Sequence, residues 1–312
     1  MVSQEIIALL GETGSGKSTF VNRATNTDAF RVGNGLRSCT SEIQLSPEFN
    51  VDGRPVVLID TPGFNDTVME DADVLKDISA FLATVYESEV KLAGVIYFHR
   101  ISDERWRRSD TRSFGWLKRI CGDQTLRNVV LTTNMWGNVD SAVGAAREAQ
   151  LAAEFVKPAL DKGAQLLRHS NTTKSAHDII RAILKNRRTA LQVQQELIDE
   201  GREFHRTAVG EEINREVAES TRRLAQQVQE LQNALENLRD SEKETRLQME
   251  ADIAGLLKEI RRFKDGSVNM NKDYRNRKAK AASLWASLRY PARIAISCIV
   301  LGALYWGLSL YI

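Results

Sequence analysis

Six apolar runs punctuate the first 170 residues: EIIALL, SEIQLSPEF, RPVVLID, LAGVIYF, NVVLTTN and GAQLLRH. Each is short, rich in Ile, Val, Leu or Phe, and bounded by polar or turn-forming residues, which predicts buried strands. The segments between them carry helical spacing. They predict a helix after Lys17, an amphipathic one over 72–88, one near 112–121, one over 142–156 and a last one over 175–186. Strands alternating with helices predict a mainly parallel sheet covered on both faces. The stretch SPEFNVDGRPVVLI breaks that rhythm, because two β-rich runs flank NVDG. It predicts a hairpin and one antiparallel edge strand.

Beyond about Arg188 the pattern changes. Proline is absent from 159 to 290, glycine becomes sparse, and Gln, Glu, Leu and Arg dominate. Val217, Leu224, Val228, Leu231, Leu235 and Leu238 recur at spacings near three and four, and Met249, Ile253, Leu256, Ile260 and Phe263 resume the series after a phase slip around 242–246. This is a coiled-coil signature with a discontinuity, and it is equally the pattern of a helical hairpin folded back on the first domain. The chain is thereby expected to divide into a sheet-based first domain at 1–190, a helical or coiled-coil stalk at 191–280, and a terminal segment at 281–312.

The last stretch, IAISCIVLGALYWGLSLYI, carries no charge. At about 1.5 Å rise per residue it spans about 28 Å as a helix, near the thickness of a bilayer's hydrocarbon core. Pro291 suits a helix start, and Tyr290, Tyr305, Trp306 and Tyr311 suit an interface. A single-pass C-terminal membrane anchor is expected, with Arg275, Arg277, Lys278, Lys280, Arg289 and Arg293 holding the bulk of the protein on the cytoplasmic side and attracting anionic lipid. Charge enters here. Between 258 and 293 eleven Lys/Arg face three Asp/Glu, in a chain whose net charge is only +2. That asymmetry predicts one basic segment with an acidic partner surface and argues against a nucleic-acid-binding protein. Cys39, Cys121 and Cys298 are too few and scattered for a disulfide framework or a zinc site, which suits a reducing compartment.

The chemistry starts at LLGETGSGKSTF. Gly11, Gly16, Lys17 and Ser18 satisfy G-x-x-x-x-G-K-[ST] between a strand and a helix, the context that gives the pattern meaning. The loop from Gly11 through Glu12, Thr13, Gly14, Ser15 and Gly16 to Lys17, Ser18 and Thr19 is the expected phosphate cradle. Its backbone N–H groups and the helix N-terminus face the anion. Lys17 is expected to reach the β and γ phosphates, and Ser18 to hold Mg²⁺. Downstream, Asp60, Thr61, Pro62 and Gly63 form a D-x-x-G element that resembles the switch II motif of GTPases. There Asp60 would hold Mg²⁺ through water, and the Gly63 N–H would contact the γ-phosphate. Thr40, at the end of RVGNGLRSCTSEI, stands where a switch I threonine would complete the metal shell.

Taken together, GETGSGKSTF, DTPGF, GVIYFHRIS and NMWG make the first 190 or so residues resemble the septin and immunity-associated branch of P-loop (TRAFAC) GTPases, and more closely the G domain-containing proteins abundant in fungi. The resemblance implies a Ras-like doubly wound sheet, GTP or GDP with Mg²⁺, and often nucleotide-dependent dimerisation. It says little about 191–280. Two departures stand out. Most GTPases read guanine through N-K-x-D. Here Asn134 matches, Gly137 replaces the aspartate, and Asp140 comes three positions too late. A lost carboxylate removes charge-assisted hydrogen bonds to the base. Asn171, after the sixth strand, is the best candidate for a second base contact, with His169 a weaker one that could equally be a strand-end residue. Second, Phe64 stands where Ras-like enzymes place the water-orienting glutamine. Slow intrinsic turnover is expected, with stimulation in trans from a second copy or an activator. The basic run His99, Arg100, Arg105, Arg107 and Arg108 is a source of transition-state charge or, alternatively, a solvated partner surface.

The expected function is a tail-anchored, slowly hydrolysing GTPase that switches or dimerises at a cytoplasmic membrane face. Lys17, Thr40 and Gly63 would act on the transferred phosphoryl group. The alternative is an essentially non-hydrolysing, membrane-anchored nucleotide-binding scaffold, which Phe64 favours. An ATP-dependent enzyme is suggested only by Gly137.

Overall fold

The computed structural model describes residues 4–30, 42–64, 67–238 and 243–289. Its centre is a seven-stranded sheet: β1 (Glu5–Gly11), β2 (Gln44–Leu45), β3 (Phe49–Val51), β4 (Arg54–Asp60), β5 (Gly94–Arg100), β6 (Val129–Asn134) and β7 (Gln165–Arg168). The strand order is β2-β4-β1-β5-β6-β7, with β3 also paired to β4. The pairs β1–β4, β1–β5, β5–β6 and β6–β7 are parallel. Strict alternation along β1 sends Ile6, Ala8 and Leu10 into one apolar layer and Ile7 and Leu9 into the other, because successive side chains of a strand point to opposite faces. Near-continuous apolar runs are what two covered faces require.

The hairpin forms as expected. β3 and β4 are antiparallel through Val51↔Arg54, and Asp52 and Gly53 both take positive φ, the geometry that suits a tight turn to strand twist. SEIQLSPEF, read as one run, is instead two short strands on either side of Ser46 and Pro47, both antiparallel to β4. Proline lacks the N–H that a continuous ladder needs.

One face is covered by α1 (Lys17–Thr25) and α6 (Thr173–Leu184), and the other by α2 (Val68–Glu87) and α3 (Arg108–Cys121). Past β6, α4 (Ser141–Gln150) gives way to a π turn at Leu151–Phe155 and the short α5 (Lys157–Leu160). The single helix expected over 142–156 is therefore present, with its last turn widened to π geometry. Its π turn brings Phe155 flat against Trp106, ring centroids 4.8 Å apart.

Packing continues across residue 190. After α7 (Gln192–Gln194) come α8 (Ala208–Glu236), α9 (Lys243–Val268) and α10 (Met270–Arg289). Leu191, Val193, Phe204, Val209, Ile213 and Val217 join the same core as α2 and α3. The heptad-like residues pair within the chain: Val228, Ile253 and Ile260, with Leu224, Leu231 and Leu256, form a small apolar cluster between α8 and α9. The folded-back hairpin is thus the arrangement adopted. α10 then lies along α2, burying Met270, Tyr274, Ala281 and Trp285. Tyr274 stacks on Phe204 at 4.8 Å. The basic segment finds its acidic partner in α2: Arg277 pairs with Asp73 at 2.9 Å and with Asp77, and Lys278 with Glu87 at 2.7 Å. Among the described residues no helix is long and apolar enough to cross a membrane. The expected span at 294–312 lies outside the described residues, as does Thr40.

Candidate functional site

The sheet reverses its strand order at β1, which has β4 on one side and β5 on the other. Ligands in such folds bind at the carboxyl ends of the strands at that switch point. The loop leaving β1 there is Gly11–Gly16. Gly11 takes φ 141°, and a Cβ on it would lie 2.6 Å from the Phe98 carbonyl oxygen; Gly16 takes φ 94°, and a Cβ there would strike the Asn134 amide. Both positions demand glycine for space as well as for φ. The loop closes on itself through Ser15 N–H to Glu12 O at 3.2 Å and runs into α1, with Thr19 in the first turn.

Lys17 is buried, 5% exposed. Its ammonium donates to the carbonyls of Gly11 at 3.0 Å and Glu12 at 3.1 Å. Burial pulls its pKa down to about 8, against the opposing pull of Asp60 and Glu12. A cation so poorly solvated gains more from an arriving phosphate than an exposed lysine does.

The β1–β4 register sets Leu9 opposite Asp60, which delivers the D-x-x-G element to the cradle. Thr61 Oγ1 donates to Leu9 O at 2.6 Å, and Ser18 Oγ to Asp60 Oδ2 at 2.6 Å. Asp60 is fully buried. A hydroxyl and a carboxylate side by side, beside the phosphate-binding lysine, are the hard oxygen donors that suit Mg²⁺. Gly63 abuts the P-loop so closely that a Cβ would strike the Thr13 backbone. The next residue ties the two motifs together: Thr13 N–H donates to Phe64 O at 2.9 Å, and Phe64 N–H to Gly11 O at 3.2 Å. The Phe64 side chain is 2% exposed, in the apolar core. The position of the usual glutamine is therefore committed to packing.

Glu12 turns away from the cradle. Its carboxylate takes Arg107 Nη2 at 2.6 Å and Arg100 Nη2 at 3.4 Å. Asp103 and Asp110 share the same arginines, and His99 lies 3.5 Å from Asp110. Burial and the charge of Asp110 push the Glu12 carboxyl up, against the two arginines. Arg100 also donates to Thr13 O at 3.3 Å. Of the basic run that the sequence singles out, Arg100 and Arg107 are the members brought to the P-loop. Glu12, at an unspecified position of the motif, gave no signal of this network.

On the base side, Asn134 Nδ2 donates to Ser15 O at 2.9 Å, and Asn134 Oδ1 accepts the Met135 N–H at 2.8 Å. Asn134 thus ties the NMWG loop to the P-loop. Asp140 is spent as the N-cap of α4, accepting from the N–H groups of Ala142 at 2.9 Å and Val143 at 3.2 Å. Asn171 accepts Arg23 Nε at 3.1 Å, which docks the loop after β7 on α1. His169 is a strand-end residue: buried, edge-on to Phe20 at 5.0 Å, within 2.9 Å of Ser175 Oγ, and held neutral by burial with a pKa of about 4. Gly11 to Thr19, Asp60, Gly63, Asn134 and Asn171 therefore gather around one mouth of the sheet.

Residues 5–135 match the AIG1 family model, so the resemblance to the immunity-associated branch of GTPases holds over that segment. Among solved structures, Toc33 from Arabidopsis thaliana in complex with GDP and Mg²⁺ is 16% identical, with TM-score 0.50 over 62% of this chain and 88% of that one. Toc33 with Mg²⁺ and GMPPNP is 16% identical, TM-score 0.49, over 60% of this chain and 87% of that one. Era from Aquifex aeolicus bound to GDP·AlF4⁻ is 14% identical, TM-score 0.41, over 60% and 57%. The Toc33–GDP likeness establishes the Ras-like P-loop fold.

Proposed function

We propose that this chain binds GTP and GDP with Mg²⁺ and hydrolyses GTP slowly, acting as a nucleotide-dependent switch or dimerising module. The observation that carries this is the joining of the two phosphate motifs: buried Lys17 across the cradle, with Ser18 and Asp60 in direct contact beside it. The match of residues 5–135 to the AIG1 family model supports the guanine nucleotide, and the GDP and Mg²⁺ bound to the similar Toc33 structure support that ligand pair.

In this reading the P-loop N–H groups and the α1 N-terminus bind the phosphates, and Lys17 offsets the charge that gathers on the γ-phosphoryl oxygens. Ser18 and Thr40, with Asp60 through a water, would hold Mg²⁺, which would polarise those oxygens and neutralise developing charge. Gly63 brings its N–H to the γ-phosphate. Nothing at position 64 can orient water, so turnover is slow and depends on a group from outside, in trans. Arg100, which donates to the P-loop carbonyl of Thr13 at 3.3 Å, sets a second cation beside the loop that holds Lys17.

The remaining parts follow from the sequence. Residues 1–190 supply nucleotide chemistry, 191–280 a helical element, and 281–312 a membrane tail that keeps the domain at a cytoplasmic face. Homodimerisation through the nucleotide domain belongs to this reading, since a second copy would supply the group in trans. A second reading, a scaffold with almost no turnover, is favoured by the burial of Phe64.

The test is nucleotide retention by the full chain purified without added nucleotide, then turnover across a range of protein concentration. Retained GTP or GDP, lost in Lys17→Ala, is expected, with a rate per molecule that rises with concentration. Retained nucleotide with no multiple turnover would select the scaffold, and adenine nucleotide in its place would sink the guanine assignment.

A further inference from the structure

The loops after β6 and β7 flank the base side of the cradle, and their chemistry is lopsided. At the position where a carboxylate would read the guanine 2-amino group stands Gly137, exposed, with nothing within 4 Å of a Cβ built on it. The neighbouring acids are occupied: Asp140 caps α4, and Glu148 takes Thr133 Oγ1 at 2.9 Å and Arg168 Nε at 2.7 Å. Trp136 is not a base platform either. Its indole N–H is 3.2 Å from Thr133 O, and the Arg168 guanidinium lies 4.1 Å above its ring.

Donors, by contrast, are present. Arginine only donates, so its bond to Asn171 fixes the amide with the oxygen toward Arg23 and leaves the NH₂ outward. Asn171 is held at φ 55°, and among the described residues neither its backbone N–H nor its NH₂ has an acceptor. Met135, at φ 64°, brings its terminal methyl to 3.4 Å from the Cβ position of Gly16, forming a polarisable wall beside the cradle.

We propose that this pocket recognises the 6-oxopurine face through donors of the Asn171 loop and leaves the purine 2-position unread, so that inosine nucleotides are ligands on a par with guanine ones. The inference rests on the nucleotide-binding reading above and names its base class. An N–H donor at O6 is satisfied by guanine and hypoxanthine alike and is left facing the 6-amino donor of adenine, where an unpaired polar group is costly.

The experiment is displacement of a fluorescent GDP analogue from the full chain with Mg²⁺ by unlabelled GDP, IDP and ADP. In the wild type GDP and IDP should agree within about threefold, and ADP should be weaker by about tenfold or more. Gly137→Asp places a carboxylate in open space at ordinary φ, and should raise GDP over IDP by about tenfold. Asn171→Leu should shrink the GDP-to-ADP gap and leave GDP-to-IDP unchanged. A wild-type preference for GDP over IDP of tenfold or more overturns the proposal. ADP binding equal to GDP is a separate pattern, and it removes the base assignment on which the proposal rests.

Discussion

Replacing Trp285 by alanine tests whether the C-terminal helices belong to the nucleotide domain in solution. Trp285 is 8% exposed on α10, meets Phe81 of α2 edge-on at 6.0 Å, and donates its indole N–H to Ser88 Oγ at 3.1 Å. Core Trp-to-Ala changes cost about 3–5 kcal/mol, because transfer and cavity terms add. The ion pairs nearby are part-exposed and compensate little. A loss of about 3–4 kcal/mol is expected if α10 and the sheet unfold together. If α10 instead peels away first, the global loss is smaller and hydrogen exchange over 270–289 accelerates. The assay is therefore equilibrium denaturation paired with exchange, with Val268→Ala, at an 84% exposed position, as the neutral control. A change below about 0.5 kcal/mol, the range of ordinary surface substitutions, together with unchanged exchange in α10 would refute the docking. It would restore an extended stalk.

Three further outcomes follow from the same geometry. Lys17, with its pKa pulled down to about 8, is about half neutral at pH 8. Nucleotide binding there should take up as much as about half a proton, measurable by calorimetry in buffers of different ionisation enthalpy, and affinity should fall above pH 8. Gly63→Ala drives a Cβ into the Thr13 backbone, so it should cost about 1–3 kcal/mol of stability and weaken nucleotide binding in the same titration. Glu216 is pushed up to about 7, chiefly by burial, with Arg112 and Arg215 opposing and Glu212 and Glu219 reinforcing. A carboxyl raised in the folded state stabilises fully below its unfolded value of 4.5 and loses that contribution as pH rises through 7. Glu216→Gln should therefore raise stability by about 1–2 kcal/mol at pH 8, after discounting for partial solvation, and change little at pH 4.5. Equal effects at both pH values would place the origin in packing.

What could be read in advance divides along a physical line. Short apolar runs and the P-loop pattern are local, so the strands, the cradle and the D-x-x-G element were legible from residues alone. The Ser18–Asp60 contact follows once β1 and β4 pair, since the register leaves them no other place. The stalk shows the limit of such reading. Leu224, Val228, Ile253 and Ile260 carry a period that any partner helix satisfies, from the same chain or another. What decides is the chemistry on α10 that heptad spacing ignores. Arg277 sits in the middle of an apolar stripe formed by Met270, Tyr274, Ala281 and Trp285, where a self-associating coil would bury it unpaired. α2 supplies Asp73 and Asp77 at that point. A half-buried cation is tolerated where its counter-charge waits, and α2 is the helix that starts four residues after Phe64 closes on the P-loop. Arg277 and Lys278, which read in sequence as part of a membrane flank, are thus also matched to carboxylates of the helix that leaves the nucleotide site.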